Sequence, residues 1–297
     1  MCKNKQICEV FRIIAAEFQK TMKTKSAIFI FAMLLAFTAC SDPSGSITIN
    51  ISHEVDGTPL VFDALRYTNE AGNPYLVNEV QWFISNLELE DRGGNCIPLA
   101  ETWYIDTNIP ETQTLRVSEV PTASYTLIRF TFGLNDTDNQ SGAFSSPPES
   151  NMFWPDELGG GYHYMKLNGK YQNADNFLAP LAIHLGRGQN ASHTEFYDNS
   201  FTVELPIELD VYADKEHQVG IVMNINKWFR NPHVYDFNTF GSAIMQNQEA
   251  QQLLKENGHD VFRMSTEGSR LEEVAQTIIG FFQKASPKPH FYSIEKP

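Results

Sequence analysis

Residues 201–211 read FTVELPIELDV, and this stretch decides the fold class. Apolar side chains occupy every second position from Phe201 to Val211, and polar residues or proline lie between them. A period of two places the apolar side chains on one face of a β-strand and the others on the opposite face. The stretch therefore predicts a strand that covers a hydrophobic core with one face only.

The same alternation recurs along much of the chain. Further strands are predicted at residues 47–51, 80–89, 125–132 and 219–225. A break in the alternation at Ser85–Asn86 predicts a β-bulge. Turn clusters rich in Gly, Asn, Asp and Pro separate the strands. We predict an all-β fold, an antiparallel β-sandwich of Ig-like or jelly-roll-like type, with a few short helices mainly near the C-terminus.

Helical patterns are confined to the C-terminal part. One helix is predicted to begin after an N-cap at Ser242 and to end at Asn257–Gly258. A second begins with the capping-box spacing of Ser269 and Glu272 and ends before Pro287.

The N-terminal segment has the features of an exported lipoprotein. Lys23 and Lys25 precede an uncharged stretch, AIFIFAMLLAFT at residues 27–38, which is too short to span a bilayer and is typical of a signal peptide. The following residues 37–40, FTAC, resemble a lipobox, which predicts cleavage before Cys40 and lipidation of its sulfur. The alternative is a secretory signal followed by an unmodified cysteine.

These features predict four parts and a location. They are a signal peptide at 1–39 (with residues before Met22 as an upstream over-read or a long basic region), a lipidated tether at 40–45, the sandwich at 46–263, and a helix and tail at 264–297. The protein is expected in the cell envelope, lipid-anchored to a membrane on the periplasmic or outer-membrane surface.

The chain is strongly acidic. It has 22 Lys and Arg against 36 Asp and Glu, a formal net charge of -14, and the part after Cys40 is more acidic still. Such a surface repels phosphate backbones, so nucleic acid is excluded as a partner. Cys96 is the only cysteine after Cys40, which excludes an internal disulfide or a cysteine zinc site there. We predict that Cys96 packs as a small apolar residue.

Residues 147–188 have the least ordinary composition. They include PPESNMFWPDELGGGYHYMKLNGKY and FLAPLAIHLGRG, where Gly159 to Gly161 permit positive φ and close backbone approach. Loops of this kind often carry function, although Trp154 could equally plug one end of the sandwich. Four histidines, His53, His163, His184 and His233, lie near patterned segments. A lone histidine is usually a satisfied polar group, whereas several converging ones hold copper or zinc.

Other chemistry is less well supported by the residues. No GxSxG elbow, P-loop or GxGxxG motif is present, and we predict a binding protein and not an enzyme. Glu149, Asp156 and Glu157 flank Trp154, and a carboxylate pair for glycoside hydrolysis is the enzymatic alternative that they offer. Asp136 and Asp138 either hold Ca²⁺ through oxygen ligands or form an ordinary turn.

Five segments together resemble the MbnP-like copper-binding domain, in the form found among Bacteroidetes lipoproteins. They are YTNEAGNPYLVNEVQWFISNLEL, FTFGLNDTDN, PPESNMFWPDELGGGYHYMKLNG, IHLGRG and VMNINKWFRNPHVYDFNTFGSAIMQNQEA. The resemblance covers roughly residues 45–262. It implies an exported β-sandwich that binds copper through histidines and a tryptophan oxidised to kynurenine, with the oxidation attributed to a partner di-haem protein of the cytochrome c peroxidase type.

The resemblance also implies site residues. His184 stands in the His-x-Gly position and is the first expected ligand, His53 at the end of the first strand is the second, and His163 is the third. Trp154 is the expected modified tryptophan, because opening its indole yields an amine that can coordinate copper. The predicted function is copper handling at the cell envelope. The alternative is a surface lipoprotein that binds glycans or proteins through exposed rings of Trp154, Tyr162 and Tyr164.

Overall fold

The computed structural model describes residues 42–265, except for 191, 193 and 242. The predicted signal peptide, the lipidation at Cys40 and the helix predicted after Ser269 lie outside these residues. Within the described part, no helix is both long and apolar enough to cross a membrane.

Fourteen strands and two α-helices make up the described fold. The strands are β1 (Ser44–Val55), β2 (Thr58–Pro59), β3 (Tyr67–Thr68), β4 (Pro74–Asp91), β5 (Cys96–Asp106), β6 (Thr114–Pro121), β7 (Ser124–Phe132), β8 (Met165–Gln172), β9 (Leu178–Leu185), β10 (Gly188–Gln189), β11 (Phe196–Tyr197), β12 (Phe201–Asp210), β13 (Glu216–Asn224) and β14 (Phe262–Met264). The helices are α1 (Phe237–Phe240) and α2 (Gln248–Gly258), and short 3-10 turns lie at Pro110–Gln113, Glu149–Met152, Asp156–Leu158 and Ile225–Phe229.

Two large sheets form the predicted β-sandwich. The seven-stranded sheet has the order β12-β7-β4-β8-β9, with β3 and β5 also paired to β4, and all its pairs are antiparallel. The five-stranded sheet has the order β14-β13-β1-β2, with β6 also paired to β1. Here β1 and β13 run parallel, which the prediction of an antiparallel sandwich did not anticipate.

Strand β4 is the longest and organises its sheet. Its first half pairs with β8 and its second half with β7, while β5 pairs along much of its length. The register against β7 shifts between Ser85 and Glu88, and Asn86 has a φ of 51°, so the predicted bulge at Ser85–Asn86 is confirmed. The bulge lets one long strand serve two neighbours in succession.

Alternating apolar side chains from both sheets fill the core. In β12, Phe201, Val203 and Leu205 are buried while the residues between them are exposed, as the opening stretch predicts. The Phe132 ring stacks on Phe201 at 5.0 Å and also contacts Trp82 and Trp228. The core is therefore rich in aromatic rings that bury large apolar areas.

Two local predictions were wrong. The helix predicted from Ser242 begins at Gln248, because Asn247 is the N-cap and its side chain accepts a hydrogen bond from the Ala250 amide at 3.1 Å. Its predicted end at Gly258 is confirmed. Cys96 is exposed at the start of β5 and is not a core residue, because its strand begins there on the rim of the sheet.

Candidate metal site

Strands β8 and β9 place three polar side chains on one face of the seven-stranded sheet. Lys166 lies directly opposite His184 in the antiparallel pairing, and Asn168 is two residues further along β8. Ile183 and Leu185, on either side of His184, are buried in the core. Because side chains alternate along a strand, His184 points to the face away from that core.

The loop before β8 covers this face. Phe153 and Tyr162 form an isolated β-bridge, and the Trp154 amide donates to the Gly161 carbonyl at 2.9 Å. A β-carbon on Gly161, which has a φ of +84°, would lie 2.8 Å from the Asn139 carbonyl oxygen. Only glycine satisfies both that φ and that approach. The loop thereby folds back on itself and brings Trp154 and His163 to the sheet.

Three rings pack edge to face at this place. The centroids of His163 and His184 are 5.1 Å apart with an interplanar angle of 83°. Trp154 packs against His163, with centroids 4.7 Å apart and an interplanar angle of 76°. The Trp154 indole nitrogen donates to the Leu158 carbonyl at 3.0 Å, so its orientation is fixed. The structure therefore brings together His163, His184 and Trp154 from the predicted set.

Hydrogen bonds determine which nitrogen of His163 carries the proton. Its Nδ1 lies 2.9 Å from the Met152 carbonyl oxygen, which can only accept, so Nδ1 is the protonated nitrogen. In the neutral ring, Nε2 then carries the lone pair. That atom is buried and has no hydrogen-bond partner among the described residues. A buried polar atom without a partner is costly and is one signature of a ligand position.

A relay through Asn168 fixes His184 in the same way. The Asn168 amide nitrogen donates to the Glu79 carboxylate at 2.7 Å, so its oxygen is the atom that faces His184 Nε2 at 2.9 Å. The oxygen must accept, and Nε2 of His184 is therefore protonated. The lone pair of the neutral ring lies on Nδ1. Each of the two histidines thus has one nitrogen anchored and the other available.

Burial keeps both rings uncharged. Burial, with a smaller contribution from the nearby Lys166 ammonium, lowers the pKa of His163 to about 3 and that of His184 to about 4. Burial also lowers the pKa of Lys166, whose Nζ donates to the Asn151 carbonyl at 2.6 Å. At neutral pH the site therefore offers unprotonated nitrogens, which is the form that binds metals.

His53 lies elsewhere. The Trp82 indole nitrogen donates to His53 Nε2 at 3.1 Å, and burial lowers the pKa of His53 to about 4. Trp82 stacks on Phe132 inside the sandwich, on the opposite side of the sheet from His184. Within the described residues, no three His, Cys, Asp or Glu side chains are grouped so that they could hold one metal ion. The structure thus brings together two of the three predicted histidine ligands.

Other residues singled out in the sequence have ordinary surroundings. Trp154, Tyr162 and Tyr164 are at most 1% exposed, so they offer no stacking surface for a glycan or protein. Asp156 and Glu157 are exposed, and Asp156 accepts a hydrogen bond from Ser141. His233 forms a close pair with Glu256 on α2, away from the ring contacts of His163 and His184.

The two aspartates considered for Ca²⁺ lie in a turn. Asp136 forms an ion pair with Arg187 at 3.3 Å, and Asp138 accepts from the Asn135 amide at 2.6 Å. The Asn135 side chain also accepts from the Thr137 amide, the pattern of an Asx turn. These bonds engage one carboxylate oxygen of each aspartate, as in an ordinary turn.

Sequence reasoning missed Glu79, Lys166 and Asn168. The alternation in MKLNG, residues 165–169, already places Lys166 and Asn168 on one face of a strand. Their partner could not be identified, because it depends on the register between β8 and β9 and on the long strand β4 that carries Glu79.

Comparison of the sequence with known protein families identifies one family. A sequence profile of the MbnP family matches residues 44–246. Among solved structures, the chain is similar in fold to MbnP from Methylosinus trichosporium, with 15% identity and a TM-score of 0.47, over 65% of this chain and 80% of that one. No curated protein matches the chain significantly.

Proposed function

Because the chain belongs to the MbnP family, as its motifs predicted, we propose that it is an exported copper-binding protein whose ligands include His163 and His184. One observation carries the proposal. The two rings are in contact, each has one nitrogen anchored by an acceptor, and Nε2 of His163 is buried without a partner among the described residues. A metal ion would supply that partner.

The donor set suits copper in its lower oxidation state. Imidazole nitrogen is a common ligand for copper, and Cu(I) accepts few ligands. The pKa values of about 3 for His163 and about 4 for His184 leave both rings neutral at pH 7, each with one unprotonated nitrogen. The ion would not need a third histidine, and His53 stays bonded to Trp82 in the core.

Trp154 is the proposed site of oxidation to kynurenine, because it is the tryptophan in ring contact with His163. Opening the indole breaks its C2–C3 bond and adds both atoms of dioxygen, or the equivalent from two peroxides with release of water. Hydrolysis then releases formate and leaves an aryl amine that can coordinate. We assign the oxidant to an exported di-haem partner of the cytochrome c peroxidase type.

Metal analysis of purified variants tests the copper site. We expect the parent to retain copper after gel filtration, and His163→Ala and His184→Ala to lose most of it. His53→Ala should retain copper, as should His259→Ala, which replaces an exposed histidine. Retention of copper by both His163→Ala and His184→Ala would contradict the proposal. Peptide mapping of protein from its native host tests Trp154 separately, since an unmodified peptide removes the kynurenine assignment.

Export and lipidation at Cys40 belong to the same proposal. Their support is the uncharged stretch and the FTAC motif at residues 37–40. Labelling with radioactive palmitate should mark the parent and leave Cys40→Ala unlabelled, while Cys96→Ala should be labelled like the parent. Label in Cys40→Ala would show that this cysteine is not the anchor.

A further inference from the structure

We propose that Lys166 determines which metal charge the site accepts, by favouring a monovalent ion over a divalent one. This inference rests on the proposed function, since it concerns the same two histidines. Lys166 is a positively charged side chain beside two histidines that are proposed to bind a cation. Lys166 is the cross-strand partner of His184, and the β-carbons of such partners lie about 5 Å apart.

The Lys166 side chain is also fixed toward the second histidine. Its Nζ donates to the Asn151 carbonyl at 2.6 Å, and the next carbonyl along the chain, that of Met152, holds His163 Nδ1 at 2.9 Å. One short turn of the loop therefore anchors both the ammonium group and the histidine. This hydrogen bond lies in an exposed position and tethers the half-buried Lys166 to the turn that also holds His163.

The Glu79 carboxylate interacts electrostatically with Lys166 and is hydrogen-bonded to two amide side chains. Glu79 accepts from Asn168 at 2.7 Å and from Asn108 at 3.0 Å, so both of its oxygens are engaged by amides. It stabilises the charged form of Lys166. Asn168 stands between Glu79 and His184, and Lys166 is the charged side chain that acts on both histidine rings.

A fixed positive charge discriminates between ions by their own charge. Coulomb repulsion is proportional to the product of the two charges, so a divalent ion is repelled twice as strongly as a monovalent one. Because the binding free energy is proportional to the logarithm of the affinity, a doubled repulsion squares the factor by which the affinity falls. At about 10 Å and an effective dielectric near 20, removing the charge is worth about tenfold for a monovalent ion and about a hundredfold for a divalent one.

Titration calorimetry with Ag⁺ and Zn²⁺ tests the inference, because both are redox-inert and differ in charge. We expect Lys166→Met to raise Zn²⁺ affinity about a hundredfold and Ag⁺ affinity about tenfold. Lys166→Arg should restore the parent's ratio. Lys170→Met is the matched control, since it removes the same charge from an exposed position on the same strand, and it should change neither affinity by more than about twofold.

The outcomes separate this inference from the proposed function. If the affinities for Ag⁺ and Zn²⁺ change equally in a folded Lys166→Met, or do not change, the role of Lys166 is overturned. Binding of Ag⁺ by the parent would still support the proposed metal site. Absence of Ag⁺ and Cu(I) binding in the parent overturns both. If Lys166→Met does not fold, Lys166→Gln is measured against the same criteria. A gain in Zn²⁺ affinity that survives His163→Ala in the double variant also overturns the inference, because that gain arises at another place.

Discussion

The buried His53 and His163 and the half-buried His184 make the stability of the metal-free protein depend on pH. Burial lowers the pKa of His53 to about 4, of His163 to about 3 and of His184 to about 4. In the unfolded chain, the pKa of each ring returns to about 6.5. Below that pH the unfolded state binds protons that the folded state does not. The contribution of these rings to the free energy of unfolding is therefore fully present above about pH 6.5. It is lost as the pH falls toward the pKa values of the folded state.

Urea unfolding at pH 7 and pH 5 measures this dependence. Each buried histidine should lower the free energy of unfolding by about 2 kcal/mol between the two conditions. His163→Gln removes one of the three contributions and should show a smaller loss than the parent. His259→Gln, which changes an exposed ring, should lose as much as the parent. An unchanged loss in His163→Gln would mean that this ring is not held neutral.

Asn168 should tune the site without touching the metal. It accepts from His184 Nε2 and donates to Glu79, so it fixes the ring nitrogen that carries the proton. Replacing such an orienting partner typically weakens metal binding by about 10–100-fold, and we expect this of Asn168→Leu. Asn108→Leu is the control, because Asn108 donates to the other oxygen of Glu79. Competition with a Cu(I) chelator measures both; equal affinities would remove the orienting role.

At the scale of elements, alternation predicted strands well because one face of each sheet is buried. Strands β4, β7, β12 and β13 all lie within or around their predicted ranges, and the bulge in β4 was visible as a broken alternation. The sequence predicted the end of helix α2 correctly but placed its start too early. Several side chains before Gln248 are able to cap a helix, and only the fold determines which one bonds to a free amide.

Pairing was less predictable than strand position. Thr48 of β1 donates to Glu216, the first residue of the parallel strand β13, across a sequence separation of 168 residues. The alternation of Ile47, Ile49 and Ile51 is the same for a parallel and an antiparallel neighbour, so it carries no information on the partner. The same limit applies to His184, whose partners on β8 follow from register alone.

The loop before β8 depends on one close contact with the end of β9. A β-carbon on Gly186 would lie 2.6 Å from the Trp154 ring, so Gly186→Ala must displace that ring. We expect a stability loss of about 1–3 kcal/mol from overpacking, with unchanged far-UV circular dichroism and weaker Ag⁺ binding. Gly72→Ala is the control, since it has a φ of +83° but open space around it. It should lose stability through strain and keep Ag⁺ affinity. Equal Ag⁺ affinity in both variants would show that the position of the Trp154 ring does not affect metal binding.

At the scale of the whole molecule, the acidic surface and the site act together. A net charge of -14 repels nucleic acid and raises the local concentration of cations. Lys166 opposes that general attraction only at the site, where it acts over a short distance. The surface therefore attracts divalent ions more strongly than monovalent ones, and Lys166 opposes that preference beside the two histidines.

Metal binding should also stabilise the whole fold. An ion that binds only the native state raises the free energy of unfolding by about 2.7 kcal/mol at a free concentration of 100 times its dissociation constant. We expect Ag⁺ to raise the urea midpoint of the parent accordingly and to leave that of His163→Ala unchanged. His53→Ala should start from a lower midpoint, because Trp82 loses its acceptor, yet respond to Ag⁺ like the parent. The reverse result, with a response lost in His53→Ala and kept in His163→Ala, would move the metal site to the His53–Trp82 pair.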